Sequence, residues 1–147
     1  MSQYLEFIAN HPFLVAAAAA LIGIIIVYEV KQATRGYRDV EPTDATRLMN
    51  NDDATMVDVR PAAEYAKSRV LNAISVPDSE LDDRIGEIQK RGEHPVIVYC
   101  ANGAASGRTA TRLVGAGIAR VYNLKGGLSA WETAGLPVTR GRQGGKK

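Results

Sequence analysis

One side chain in this sequence pairs a nucleophilic atom with surroundings that favour its charged form. Cys100 is the only cysteine among 147 residues. It ends an apolar run within "VIVYCANGAASGRTATRL" (96–113) and is followed by Ala101, Asn102, Gly103, Ala104, Ala105 and Ser106. Where a strand ends in a tight loop that opens a helix, backbone N–H groups point at a common centre and the helix dipole adds partial positive charge. An anion there is stabilised without any basic side chain. Here that anion is the Cys100 thiolate, or a sulfur attached to it, and a lowered thiol pKa makes the sulfur nucleophilic near neutral pH. Gly103 and the small residues let the backbone curl and leave the pocket open. The blander alternative is a small buried hydrophobe beside an ordinary turn; the loop composition and the following helix start favour the reactive thiol.

Other chemistries fit less well. A single cysteine excludes an internal disulfide, and two histidines as far apart as His11 and His94 argue against a metal site, so neither metal nor cofactor is expected. Cysteine phosphatases use the same loop-then-helix device but need an arginine six positions after the cysteine to grip the phosphoryl oxygens. That position is Ser106. The nearest cation in sequence is Arg108, on the helix. Asp58 and Arg60 sit at the end of a neighbouring apolar run, where Arg60 either orients the loop or contacts substrate, or simply pairs with Asp58 or Glu64. All three are carried as supporting residues, and His94 reads as a solvated loop residue.

The elements that must position this loop alternate. "VEPTDATRLMN" reads as a helix with Pro42 in its first turn and Leu48 and Met49 inward. "TMVDVR" (55–60) is a strand, "PAAEYAKS" a helix opened by Pro61, and "NAISVP" (72–77) a strand stopped by proline. "DSELDDRIGEIQKRG" is an amphipathic helix capped by Asp78 or Ser79, with Leu81, Ile85 and Ile88 on one side and Gly92 past its end. "PVIVYC" is the most continuous apolar strand and is placed centrally. "SGRTATRLVGAG" is a helix stopped at Gly115 and Gly117, "RVYNL" a last strand, and "GGLSAWETAGLP" a short helix with Trp131 inward. Strands alternating with helices imply an α/β fold with a parallel sheet covered on both faces. In such sheets ligands bind at the carboxyl ends of the strands, where Cys100 and Asp58–Arg60 fall.

The N-terminus is different material. Residues 7–28, "FIANHPFLVAAAAALIGIIIVY", carry no formal charge with His11 neutral. As a helix they rise about 33 Å, enough to cross a hydrocarbon core of about 30 Å. The segment lacks a basic residue before it and a small-x-small cleavage site after it, which favours a membrane anchor over a cleaved signal peptide. Lys31, Arg35 and Arg38 follow the span, so the positive-inside rule puts the C-terminal body in the cytoplasm. The spacing of Ala16 with Ala20, or Ala19 with Gly23, would let two such helices approach, although apolar filler is the simpler reading. Residues 29–39 read as a juxtamembrane linker and 40–139 as the domain. Residues 140–147 read as a disordered tail holding Arg140, Arg142, Lys146 and Lys147. Without that tail the chain has 14 basic and 16 acidic residues, a near-neutral body with no nucleic-acid footprint.

From Val40 to Val138 the body resembles a single-domain rhodanese, the sulfurtransferase module. The matching pieces are "MVDVRPAAEYAKSRVLNAISVP", "PVIVYCANGAASGRTATRLVGAGIARVYNL" and "GGLSAWETAGLPV". The whole layout is similar to bacterial inner-membrane proteins that carry such a domain on one N-terminal span. The resemblance implies a rhodanese α/β fold and a Cys100 persulfide that takes sulfur from a donor and passes it to a nucleophilic acceptor. The loop 101–106 would bind the substrate. It departs from the family in lacking a basic residue, often found at the position of Ala105, and in carrying Arg69 where a histidine is common. The expected partners are a small-molecule or protein persulfide as donor or acceptor, the bilayer, and through it a membrane-protein partner or a weak homodimer. The alternative function is a membrane-tethered interaction module with little or no turnover.

Overall fold

The computed structural model describes residues 2–141, with side chains from Glu6 onward. The chain divides into two compact units, Met1–Arg35 and Gly36–Lys147. In the first, α1 (Ser2–Asn10) is followed by α2 (Pro12–Ala33). The break falls at His11 because Pro12 has no N–H to continue the upstream ladder and is preformed for the first turn of a new helix. The long apolar helix is therefore 12–33, not the expected 7–28. It takes in Lys31 and the first five residues of the expected linker. Its 22 residues have a mean hydropathy of 2.5 over an 18-residue window, and apolar side chains such as Phe13, Leu21, Ile22 and Ile24 are exposed. By length and composition it can cross a membrane.

The second unit is built on a five-stranded parallel sheet in the order β1-β6-β5-β2-β4. Along the chain come β1 (Arg38–Val40), α3 (Pro42–Asn51), β2 (Thr55–Asp58), α4 (Ala62–Lys67), β3 (Ser68–Val70) and β4 (Ile74–Ser75). A 3-10 turn at Asp78–Glu80 leads into α5 (Leu81–Gln89), β5 (Val96–Tyr99), α6 (Ala104–Gly115), β6 (Val121–Leu124), α7 (Gly127–Thr133) and β7 (Val138–Arg140). β5 is the middle strand, as its unbroken apolar run requires: a strand covered on both faces has no polar side. Successive side chains point to opposite faces. Val96, Val98 and Cys100 join a core with Leu81, Ile88, Ala110 and Leu113, beneath α5 and α6. Ile97 and Tyr99 join the other core with Ala45, Leu128 and Trp131, beneath α3 and α7.

Two boundaries differ from the sequence reading. Arg38 and Asp39, expected in the linker, pair with Tyr122 and Asn123 as an edge strand, so the domain begins before Val40. Arg140, expected as the first residue of the tail, pairs with Ser68 in an antiparallel β3–β7 ribbon. Both segments are three residues long, and their order comes from pairing with a distant partner rather than from any apolar pattern of their own. The rest of the expected tail, 142–147, lies outside the described residues.

Candidate active site

Cys100 follows β5 directly, at the carboxyl end of the central strand, and is 4% exposed. The chain then turns through Ala101, Asn102 and Gly103 into α6. Gly103 has φ 89°, a left-handed conformation that a side chain would strain, and it aims its N–H at the Cys100 Sγ from 3.0 Å. Helix α6 starts at Ala104, two residues before the expected start, so Ala104, Ala105 and Ser106 form its first turn rather than a free loop. Asn102 supports that turn, its side-chain oxygen accepting the Ala104 N–H at 3.2 Å and lying 3.8 Å from Sγ.

A second clamp holds the loop from behind. Leu128 and Ser129, in the first turn of α7, donate their N–H groups to the carbonyls of Cys100 (2.9 Å) and Ala101 (3.1 Å). This approach requires glycine at 127, where a Cβ would run into the Cys100 carbonyl oxygen and φ is 59°. The loop backbone is thus fixed on both sides while its outer side chains stay small. Ala101, Asn102 and Ala104 are exposed and Ala105 is half-buried.

Ser106, read from sequence as one more loop residue, is fully buried, with its Oγ 3.4 Å from Sγ. Burial alone pushes the thiol pKa up. Hydrogen bonds from the Ser106 hydroxyl and from the loop amides outweigh that and hold the Cys100 thiol below its ordinary value. Two further residues attach to this point. Asn123 on β6 lies 2.6 Å from Ser106 Oγ through its side-chain oxygen, and it donates from Nδ2 to Asp39 on β1 at 2.8 Å. Neither had a local signal. Asn123 shows only as a polar residue within "RVYNL", and Asp39 lay in an apparent linker.

The supporting residues separate. Asp58 is fully buried and Arg60 is 8% exposed. Arg60 Nη2 lies 2.6 Å from Asp58 Oδ2, the same nitrogen donates to the Ser68 carbonyl at 2.6 Å, and Nε reaches Asp58 Oδ1 at 3.0 Å. Burial opposes its charge, but Asp58 raises the guanidinium pKa above the usual value. Arg60 thus ties the end of β2 to β3 beside Tyr99. Arg108 is exposed, and its side chain makes no ion pair or hydrogen bond among the described residues. Neither arginine has a hydrogen bond to Cys100 or its loop. Also among the described residues, no group of three or more histidine, cysteine or carboxylate side chains could hold a metal ion.

A lone thiol clamped by amides between the central strand of a parallel sheet and the next helix is arranged to hold an anionic sulfur. A solved structure of a rhodanese-related protein from Thermoplasma volcanium superposes with a TM-score of 0.62 at 28% identity, covering 70% of this chain and 98% of that one. Residues 41–134 match the family model described as the rhodanese-like domain, and the chain belongs to that family. The uncharacterized protein YibN of Escherichia coli K12 is 33% identical over 143 residues, 97% of this chain and all of that protein. The thiosulfate sulfurtransferase GlpE of Actinobacillus pleuropneumoniae serotype 5b is 36% identical over 102 residues, 69% of this chain and 93% of GlpE.

Proposed function

We propose that this protein is a membrane-anchored sulfurtransferase that carries sulfane sulfur as a persulfide on Cys100. The observation that carries the reading is the Gly103 N–H, 3.0 Å from a sulfur at the strand-to-helix turn. The Cys100 thiolate attacks the sulfane sulfur of a donor. A new S–S bond forms, the donor's old bond to that sulfur breaks, and the bonding pair leaves with the rest of the donor. The transferred sulfur then holds the negative charge, facing the amides that open α6. A nucleophilic acceptor forms a bond to it, and Cys100 departs as thiolate with the pair of the broken S–S bond. Donor preference should follow the empty loop. Thiosulfate brings a dianion to a thiolate with no cation among residues 101–106. At about 4 Å and an effective dielectric near 20, one missing cation forfeits roughly 4 kcal/mol before solvent compensation. A persulfide donor brings less charge. Ala105→Arg is therefore expected to speed thiosulfate use several-fold more than persulfide use, read as the ratio of the two second-order rates. An unchanged ratio rules out this account of the loop.

The anchor is α2, whose apolar side chains are exposed, with Lys31 in its last turn and Arg35 and Arg38 after it. The positive-inside rule orients the domain toward the cytoplasm, at the inner membrane of a bacterium. Ile22→Arg puts a charge near the bilayer centre at a cost of roughly 3 kcal/mol on insertion scales and should shift the chain from the membrane to the soluble fraction. Protease added to sealed inside-out vesicles should digest the domain, while right-side-out vesicles should protect it. The reverse pattern overturns the orientation.

A further inference from the structure

The Ser106 hydroxyl has one proton and three neighbours able to accept it: Asn123 Oδ1 at 2.6 Å, the Gly103 carbonyl at 3.3 Å and Cys100 Sγ at 3.4 Å. We infer that Asp39 and Asn123 are positioning residues for Cys100: the Asp39 carboxylate locks the Asn123 amide with its oxygen toward Ser106, and that oxygen competes with the sulfur for the single hydroxyl proton. The lock follows from donor and acceptor counting. Asp39 Oδ1 only accepts, so the atom facing it at 2.8 Å must be the Asn123 NH2 group. Flipping the amide would set two acceptors against each other.

The hydroxyl therefore has two positions. When Cys100 is a thiol, its S–H has Asn102 Oδ1 to point to at 3.8 Å, the Ser106 hydroxyl turns to Asn123 and the amide to Asp39, so that each donor meets an acceptor. When Cys100 is a thiolate, the hydroxyl turns to the sulfur and leaves two oxygens 2.6 Å apart without a proton between them. Asn123 thus favours the thiol, and Ser106 favours the thiolate. During transfer the same turn acts on the leaving group. In the persulfide the charge sits on the outer sulfur and the hydroxyl stays with Asn123. As the S–S bond breaks, the hydroxyl swings to the departing Sγ. Breaking that bond puts charge on Sγ, and no proton is consumed.

The other charged groups on the surrounding elements have partners of their own or stand exposed. Asp58 at the end of β2 pairs with Arg60, Asp78 holds Thr109 and Arg112 of α6, and Lys125 after β6 meets Glu41. Arg108 on α6 is exposed. Asp39 is linked to the thiol through the Asn123 amide and the Ser106 hydroxyl.

The inference rests on Cys100 being the reactive thiol of the proposed function, but its test does not use sulfur transfer. Cys100 is the sole cysteine, so the pH dependence of iodoacetamide alkylation of the full chain in detergent reports on it alone. Asn123→Ala should move the midpoint to lower pH, with about three- to tenfold more thiolate below it, the size of one hydrogen bond. Ser106→Ala should move the midpoint up, and the double variant should match Ser106→Ala. Asp39→Asn, an exposed edge change that satisfies either amide orientation, should act in the direction of Asn123→Ala. In the Ser106→Ala background it should keep only the smaller effect of the lost charge. It carries the test if Asn123→Ala fails to fold. Equal shifts with and without the hydroxyl, or no shift for Asn123→Ala, overturn the inference. Coupling without sulfur transfer to any acceptor overturns the proposed function alone; sulfur transfer without coupling overturns this inference alone.

Discussion

Replacing Cys100 with serine is expected to reduce sulfur transfer to the uncatalysed background. Serine preserves the bond from the Gly103 N–H but has a hydroxyl that stays protonated near neutral pH, and its oxygen cannot carry a sulfane sulfur. Transfer from a persulfide donor to cyanide, followed as thiocyanate, measures the loss. The fold should be unaffected, because the thiol contributes only the end of an apolar row otherwise made by Val96 and Val98. Trp131, the only tryptophan, is 2% exposed and donates its Nε1–H to the Pro137 carbonyl at 3.0 Å, so its fluorescence reports folding independently of the site. Transfer at the wild-type rate by Cys100→Ser would place the nucleophile elsewhere and end the persulfide reading.

The largest stability effect is expected at Arg60. Arg60→Met removes the guanidinium and leaves Asp58 fully buried with only the backbone N–H of residue 60, now 3.0 Å from its Oδ1, as the remaining donor that this segment supplies. Breaking a buried pair from one side costs roughly 3–5 kcal/mol, whereas replacing both charges costs much less. Arg60→Met alone should therefore unfold at markedly lower urea, monitored by Trp131, and Asp58→Asn combined with Arg60→Met should recover most of the loss. If the double variant is as unstable as the single, the pair's importance is not electrostatic. Because Arg60 also holds the Ser68 carbonyl at 2.6 Å, the single variant should also loosen the β3–β7 ribbon.

What could be read from the sequence was what repeats locally or is chemically scarce. The run Val96–Tyr99 identified the central strand because unbroken apolar sequence of that length belongs under two layers of helix. Cys100 and Gly103 identified the turn because small residues between strand and helix have little other purpose. Strand β1 escaped because "RDV" has one apolar residue and pairs along a single edge. The link from Ser106 to Asn123 and on to Asp39 spans 17 and then 84 positions, and only the assembled sheet brings those residues together. Arg60 was legible as a residue that could pair with Asp58 or Glu64, and the fold brings its guanidinium, 8% exposed, against the fully enclosed Asp58 carboxylate.

The grip of Leu128 and Ser129 on the Cys100 and Ala101 carbonyls has an evolutionary consequence. Apart from the buried Ser106 hydroxyl, the groups that stabilise sulfur charge belong to the main chain, and the main chain is held by other main chain across Gly127. Recognition, by contrast, is left to the exposed side chains at 101 and 104. Mutation can therefore rewrite those two positions, admitting a new donor or acceptor, without dismantling the reactive centre. Position 127 has no such latitude. A lineage of these proteins could diversify its clientele one loop substitution at a time, while a single methyl group at Gly127 would cost it the chemistry.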